Sequence, residues 1–264
     1  MKIETLVVTV DREDHKLAEQ MNIQTDALIG NQCRRNSIET CCVNGKRITY
    51  LNTVGRGVGQ NRNIVLKNAT AELCVLADDD MTFVDGYPRI AQMAFEKCPK
   101  ADVLIFNLIE KNPRRFRNDR IKRIGRFNYA KYGAARLAFR RQSIVDAGIE
   151  FNTLFGGGSR YGAGEDTIFL KECLDKGLRL YAVPYSLAEI NQEAKSTWFT
   201  GYNEKYFYDK GALYAHLYPI FWRLFSVRFL VFRSAKYQHS ISFGKALRSM
   251  IKGGKAYRTH RENQ

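Results

Sequence analysis

The sequence lacks a long hydrophobic run, since no window of about 18 residues is apolar and uncharged. We therefore expect no helix that spans a membrane. Residues Met1–Val10 lead directly into an apolar, strand-like run, without the basic region and cleavage signal of a secretory peptide. We accordingly expect no such peptide.

The sequence also lacks a Cys-x-x-Cys pair. Its six cysteines are Cys33, Cys41, Cys42, Cys74, Cys98 and Cys173. This pattern argues against a zinc site and against a disulfide framework. Reduced thiols are typical of cytoplasmic proteins, so we expect a cytoplasmic location.

Positive charge is concentrated in two segments. The chain has 264 residues, 45% of them hydrophobic, and a net charge of +15. Its length and composition fit one large α/β domain, or one domain with an appendage. Lys111–Arg126 carries +7 and Arg223–Gln264 carries +9, so the rest of the chain is almost neutral. Phosphate-bearing ligands, anionic lipid and nucleic acid are the anionic partners that this distribution suggests.

Apolar runs alternate with helix-like patterns along most of the chain. This alternation predicts an open, mostly parallel α/β sheet flanked by helices. The predicted strands are Glu4–Val10, Asp26–Gly30, Arg47–Leu51, the run from Leu73, Asp102–Leu108, Ala135–Phe139 and Leu178–Val183, the last closed by Pro184. The predicted helices include Asp14–Asn22, Tyr87–Cys98 and Ser143–Ala147.

Three consecutive carboxylates, Asp78, Asp79 and Asp80, follow the apolar run from Leu73. Ligands bind at the carboxyl ends of the strands in such sheets. Three carboxylates this close repel one another unless they share a cation, and oxygen ligands suit Mg²⁺ or Mn²⁺. The alternative is a solvated acidic turn.

Two glycine-rich stretches precede helix-like segments. The stretch from Gly55 to Asn63 either cradles phosphate on its backbone N–H groups or serves only a tight turn. The stretch from Phe155 leads to Glu165 and Asp166, which complement the dipole of the helix that they begin. We favour a functional site for this acid pair, because the flexible lead-in places it at the edge of a site.

The segments rich in Lys and Arg interrupt the α/β pattern. Lys111–Arg126 is too basic for the core and predicts a long exposed loop or hairpin. From about Gly211 the chain mixes aromatic residues with arginines that leave no helical face cleanly apolar, which is typical of a membrane interface. We expect domains at residues 1–210 and 211–264, the second a helical, basic and aromatic appendage that contacts an anionic membrane.

Four motifs together resemble bacterial glycosyltransferases of family 2, which have the GT-A fold and act in surface polysaccharide assembly. They are the strand end Thr9-Val10-Asp11, the helix start Gly57-x-x-x-Asn61-Arg62-Asn63, the triplet Asp78-Asp79-Asp80 and the helix start Gly164-Glu165-Asp166-Thr167. The resemblance covers about Lys2–Trp198 and implies an inverting, metal-dependent transfer of a sugar. The donor would be a nucleotide-sugar, most often a UDP-sugar, and the acceptor a hydroxyl of a lipid-linked or polysaccharide intermediate at the inner face of the plasma membrane.

The resemblance also implies roles for individual residues. Asp166 would be the catalytic base, with Glu165 either orienting the acceptor or serving as the base instead. Asp78 and Asp80 would bind Mn²⁺ or Mg²⁺. The nucleotide-sugar would contact Thr9, Asp11, Asn31, Arg62, Asp78 and Asp79, and the acceptor would contact Gly157, Gly158 and Trp198.

Two departures from the family pattern concern the donor site. Many relatives have an acid after the second strand, where this chain has Gly30-Asn31-Gln32, and many have a metal-binding His where this chain has none between Tyr185 and Trp198. Two other functions are compatible with parts of the sequence. A metal-dependent nucleotidyltransferase would use similar acids, whereas nucleic-acid binding fits poorly with carboxylates at the ligand edge, so we expect no nucleic-acid partner.

Overall fold

The computed structural model describes residues 1–113, 116–191 and 201–262. The chain divides into two compact units. The first comprises Met1–Asn152 with Asp166–Lys195, and the second comprises Thr153–Glu165 with Ser196–Gln264. The boundary between residues 210 and 211 stays a prediction.

The first unit contains a ten-stranded sheet. Its strands are β1 (Ile3–Val10), β2 (Asp26–Cys33), β3 (Ser37–Val43), β4 (Lys46–Val54), β5 (Leu73–Asp78), β6 (Met81–Phe83), β7 (Val103–Ile109), β8 (Lys122–Ile124), β9 (Leu137–Arg140) and β10 (Leu180–Ile190). Their spatial order is β3-β4-β2-β1-β5-β9-β7-β10-β6, with β8 paired to β10. The helices are α1 (Leu17–Gln20), α2 (Val58–Asn68), α3 (Tyr87–Lys97), α4 (Arg141–Asp146) and α5 (Glu165–Asp175), of which only the first residue, Glu165, is assigned to the second unit.

The central strands are buried on both faces because alternate apolar side chains meet helices on opposite sides. Leu6 of β1 belongs to the cluster that contains Phe169 of α5. Its neighbour Val7 belongs to the other cluster, with Phe95 of α3. The first unit is therefore an α/β sheet covered by helices on both faces, as predicted.

The register of the parallel strands brings their carboxyl ends to one edge. In β1, Val8 pairs with Asp78 of β5 and Thr9 pairs with Asn31 of β2. The sequence motifs that end these strands thus lie side by side.

The structure corrects the predicted end of one strand and adds strands β3, β6 and β8, which were not predicted. β10 continues through Pro184, because its pairing with β7 is interrupted by register shifts between Ala182 and Ala188 where the missing N–H is tolerated. Strand β3 forms a hairpin with β4 across Asn44 and Gly45, whose positive φ angles of 50° and 73° suit this dipeptide.

The basic segment Lys111–Arg126 is only partly the exposed loop that was predicted. Its described Lys and Arg side chains are exposed, but Asn118 and Ile124 are buried. Asn118 accepts a hydrogen bond from the Tyr132 hydroxyl at 2.8 Å, and its backbone N–H donates to Asn107. Buried polar pairing anchors this segment, which its charge alone did not reveal.

The second unit contains three long helices, α6 (Glu204–Leu217), α7 (Trp222–Tyr237) and α8 (Phe243–Glu262). A Cβ added at Gly211 of α6 would lie 1.9 Å from the Met250 backbone oxygen of α8. A Cβ added at Gly253 would lie 1.9 Å from the Tyr208 backbone oxygen. Glycine thus lets α6 and α8 pack backbone against backbone. Of the helices in the described ranges, none has the length and apolar character that a membrane crossing requires.

Candidate active site

The candidate active site lies at the carboxyl edge of the sheet in the first unit. Arg62 of α2 is at its centre, and its side chain is only 4% exposed. Its Nη1 lies 2.7 Å from Oδ1 of Asp166, and its Nη2 lies 2.8 Å from Oδ1 of Asp78. One guanidinium therefore joins the first acid of the triplet to the predicted base.

The sequence around Arg62 fixes its position. Asn61 donates hydrogen bonds to the backbone oxygens of Thr9 and Gly30, which attaches α2 to β1 and β2. Asn63 forms two hydrogen bonds with the backbone of Phe151, whose ring centroid lies 5.3 Å from the Arg62 guanidinium carbon. A fixed cation over an aromatic face is favourable, so α2 holds the arginine ready for two carboxylates.

Gly30 allows Asn61 of α2 to approach β2 closely. A Cβ at this position would lie 2.2 Å from Oδ1 of Asn61. No side chain fits there while Asn61 keeps its bonds to Thr9 and Gly30. The glycine in this motif therefore serves the attachment of α2.

Asp166 lies in the first turn of α5. Arg62 engages its Oδ1, and no described residue donates a hydrogen bond to its Oδ2. A Cβ added at Gly133 would lie 3.1 Å from this Oδ2. Gly133 follows Tyr132, whose hydroxyl donates a hydrogen bond to Asn118 of the basic segment. The stretch from Tyr132 to Gly133 therefore anchors the basic segment and also lies beside the Asp166 carboxylate. One oxygen of Asp166 is thus held in place and the other is available to accept a proton.

The aspartate triplet follows β5 and its members have different partners. Asp78 is 38% exposed and binds Arg62 through Oδ1. Asp79 accepts a hydrogen bond from the Thr9 hydroxyl at 2.5 Å. The backbone oxygen of Asp80 accepts from the Asn191 N–H at 2.8 Å. The structure therefore brings Thr9, Arg62, Asp166 and the triplet together.

Two predicted donor residues lie nearby but have partners within the protein. Asn31 is buried, bonds the backbone of Arg12 in both directions and donates to Asn52 at 2.7 Å. Asp11 has a φ of 51° and forms an ion pair with Arg56 at 2.7 Å. Both residues shape the turn after β1, and their contacts with a nucleotide stay predictions.

The first glycine-rich stretch is built as a tight turn. Gly57 has a φ of 128°, and its N–H donates to the side-chain oxygen of Gln32 at 3.0 Å. The Gln32 amide donates back to the Gly57 oxygen at 3.2 Å. This N–H is already used within the protein, which favours the turn over a phosphate cradle.

The remaining predicted residues fall outside this group. Glu165 belongs to the second unit, where it is buried. Burial is the main cause that lowers the pKa of Lys210, and the charge of Glu165 partly opposes this effect. Gly157 and Gly158 also belong to the second unit, in a turn after Phe155. Trp198 lies outside the described residues. The roles of Glu165, Gly157, Gly158 and Trp198 stay predictions.

The described side chains do not form a complete metal site by themselves. Within residues 1–113, 116–191 and 201–262, no three or more His, Cys, Asp or Glu side chains form a group that could hold a metal ion. The two predicted ligands, Asp78 and Asp80, are still a suitable donor set for Mg²⁺. This ion usually takes one or two carboxylates and completes its shell with water and phosphate.

Sequence reasoning missed two residues of this site. Phe151 supports Arg62, and Gly133 approaches Asp166. Both lie in irregular segments without a periodic pattern, so only the long-range fold reveals them.

Comparisons with known proteins identify the fold. No family model matches the sequence, and no curated protein matches it. Among solved structures, the chain is similar to S. aureus TarS residues 1–349 in complex with UDP-GlcNAc, with a TM-score of 0.63 and 15% identity over 100% of this chain and 93% of that one. The same TarS segment in complex with UDP gives a TM-score of 0.62 at 15% identity, over 100% and 92% of the two chains. At this identity the likeness shows the fold, and it confirms the predicted GT-A α/β architecture with C-terminal helices.

Proposed function

We propose that this protein is an inverting glycosyltransferase that moves a sugar from a UDP-sugar to an acceptor hydroxyl. The observation that carries the proposal is the buried Arg62, which joins Asp78 at the donor edge of the sheet to Asp166. The fold adds support, because solved TarS structures of this fold are complexes with UDP and UDP-GlcNAc.

The donor site would lie at the ends of β1 and β5. Asp78 and Asp80 would hold a divalent cation, Mn²⁺ or Mg²⁺, together with the donor diphosphate. When bound, such an ion stabilises the negative charge that develops on the leaving diphosphate. Thr9 orients Asp79 beside this site through their hydrogen bond.

Asp166 would be the general base. Arg62 holds its Oδ1, so Oδ2 is free to remove the proton of the acceptor hydroxyl as that oxygen attacks the sugar. General-base assistance typically gives about 10²–10⁴-fold in rate. A single displacement with one base on the face opposite the leaving group inverts the anomeric centre. Glu165 is the alternative base, and the activities of the Glu165→Gln and Asp166→Asn variants distinguish the two.

The acceptor would be anionic. The described Lys and Arg side chains of Lys111–Arg126 are exposed, and Asn118 in this segment is anchored by Tyr132. The next residue, Gly133, lies beside Asp166. Their charge suits the diphosphate of a lipid-linked saccharide. An acceptor of this kind would put the enzyme in the cytoplasm, at the inner face of the plasma membrane.

A nucleotide-release screen tests the function. Purified protein is incubated with UDP-, GDP-, dTDP- and CMP-sugars and lipid extract, with Mn²⁺, with Mg²⁺ and with EDTA. We expect metal-dependent release from a UDP-sugar, loss of release in Asp80→Asn, and a drop of about 10² or more in kcat for Asp166→Asn. Asp146→Asn, which alters an exposed acid on α4, is the matched control.

Other outcomes would overturn particular parts of the proposal. Equal activity with EDTA would remove the metal. A larger loss in Glu165→Gln than in Asp166→Asn would transfer the role of base to Glu165. Release of pyrophosphate from a nucleoside triphosphate and a sugar phosphate, without nucleotide release from any donor, would contradict glycosyl transfer.

A further inference from the structure

Large apolar side chains are exposed along one stretch of the second unit. They are Ile220, Phe221, Leu224, Val227, Val231 and Phe232, and they are between 39% and 83% exposed. We call this set the α7 apolar face. Scattered exposed apolar residues are ordinary, but a continuous group of this kind marks an interaction site.

The α7 apolar face lies opposite the side of the helix that packs against the protein. Trp222, Ser226 and Leu230 are buried and share one side at intervals of four residues. Leu224, Val227 and Val231 recur at intervals of three and four on the other side. Arg228 also lies on this side, four residues from both Leu224 and Phe232, so the face is apolar with one arginine among its members.

The surroundings of this face are strongly basic. Helix α7 contains no acid, and Arg223, Arg228, Arg233 and Lys236 are exposed on it. The guanidinium carbon of Arg228 lies 5.0 Å from the ring centroid of the exposed Phe232. The exposed bases of α8 are Lys245, Arg248, Lys252, Lys255 and Arg258.

We propose that the α7 apolar face binds an anionic lipid surface, with its apolar side chains at the boundary of headgroups and acyl chains. Exposed apolar side chains with flanking Arg and Lys are what an interfacial helix requires. The bases of α8 add attraction to anionic headgroups. A second copy of the chain is a poor partner, because two acid-free helices would bring their arginines together.

Binding to vesicles of defined composition tests this proposal without any substrate. The full chain is sedimented with phosphatidylcholine vesicles and with vesicles containing phosphatidylglycerol, at low and high salt. The test variant is Leu224→Gln with Phe232→Gln. The matched control is Ile38→Gln with Phe127→Gln, which alters two strongly exposed apolar residues of the first unit.

We expect the wild type and the control to bind the anionic vesicles, and the α7 variant to bind about tenfold more weakly at unchanged melting temperature. High salt should weaken binding without abolishing it, because the apolar contribution remains. Equal binding by the α7 variant and the wild type, or no preference for anionic vesicles, would overturn the proposal. A wild-type dimer that the α7 variant converts to monomer, without vesicle binding, would assign the face to self-association instead. Nucleotide release by the α7 variant at the wild-type rate would show that vesicle binding and the proposed transferase activity are lost independently.

Discussion

Arg62 and Asp166 form an ion pair at 2.7 Å although 104 residues separate them in the sequence. The same guanidinium also binds Asp78 at 2.8 Å. A single buried cation thus fixes two carboxylates for which we propose different tasks, one at the donor and one at the acceptor. The arrangement predicts that the two carboxylates respond together when the arginine changes.

Replacement of Arg62 tests this coupling. Arg62→Lys carries one point charge instead of a planar fork and cannot serve both carboxylates equally. We expect it to lower the free energy of unfolding by about 2 kcal/mol and to reduce turnover about 10²-fold. A double-mutant cycle of Arg62→Met with Asp166→Asn, measured by denaturant unfolding, should give a coupling energy of about 1 kcal/mol or more. Additive losses would show that the ion pair has no energetic role.

Substitution of Gly133 should have a more local effect, confined to the Asp166 carboxylate. In Gly133→Ala the new methyl group meets Oδ2 of Asp166 at 3.1 Å, so the carboxylate must move by a few tenths of an ångström. We expect turnover to fall about tenfold while stability changes by less than about 1 kcal/mol. Gly125→Ala adds the same methyl group where nothing lies within 4 Å, and should behave as wild type. Equal effects of the two substitutions would rule out a steric action on Asp166.

The contact between α6 and α8 predicts a strong position effect within one helix. Gly253→Ala places a methyl group 1.9 Å from the Tyr208 backbone oxygen, so the helices must separate. We expect a loss of more than about 2 kcal/mol in the free energy of unfolding. Gly244→Ala, also in α8, meets nothing within 4 Å and should be neutral or stabilising by up to about 1 kcal/mol. Thermal unfolding of the two variants compares them directly, and a stable Gly253→Ala would contradict the close approach.

Glu172 on α5 predicts a pH dependence of stability. Its pKa is raised mainly by burial, with Asp175 adding to the increase and Lys171 and Lys176 opposing it. The folded state therefore holds this proton more tightly than the unfolded chain, whose pKa is about 4.3. Stability from this carboxyl is present below about pH 4 and is lost as the pH rises through the raised pKa.

Glu172→Gln removes this ionisation. As the pH rises from about 4 to neutral, the stability of the variant should increase relative to that of the wild type. The denaturation midpoint of each protein at each pH measures this difference. Glu150→Gln, on an exposed acid paired with Lys67, is the control. A difference between Glu172→Gln and wild type that stays constant across this range would contradict the raised pKa.

Local patterns predicted the elements whose surroundings are simple. The apolar runs of β1 and β5 are buried on both faces, so their hydrophobicity alone indicates a strand. The same logic placed the triplet from Asp78 at the ligand edge. Strand β3 alternates between exposed and half-buried side chains, and its strongest signal was the Asn44-Gly45 turn rather than its hydrophobicity.

The relationships that define the site depend on distant parts of the chain. No spacing rule connects Arg62 with Asp166, or Gly133 with that same carboxylate. The anchoring of Asn118 likewise depends on Tyr132 and Asn107, which belong to other segments. Similarly, the apolar face of α7 appeared only when packing showed which side of the helix is buried. The sequence therefore indicated candidate site residues, and the packing of distant segments determined which side chains contact them.

Titration calorimetry with UDP tests the central claim most directly. Wild type, Asp78→Asn and the control Asp146→Asn are titrated with UDP in the presence of Mn²⁺, and wild type is also titrated with GDP and CMP. We predict that wild type and the control bind UDP alike and in preference to the other nucleotides, and that Asp78→Asn binds it about tenfold or more weakly. Absence of UDP binding, or equal affinity in Asp78→Asn, would contradict a UDP-sugar site at the end of β5.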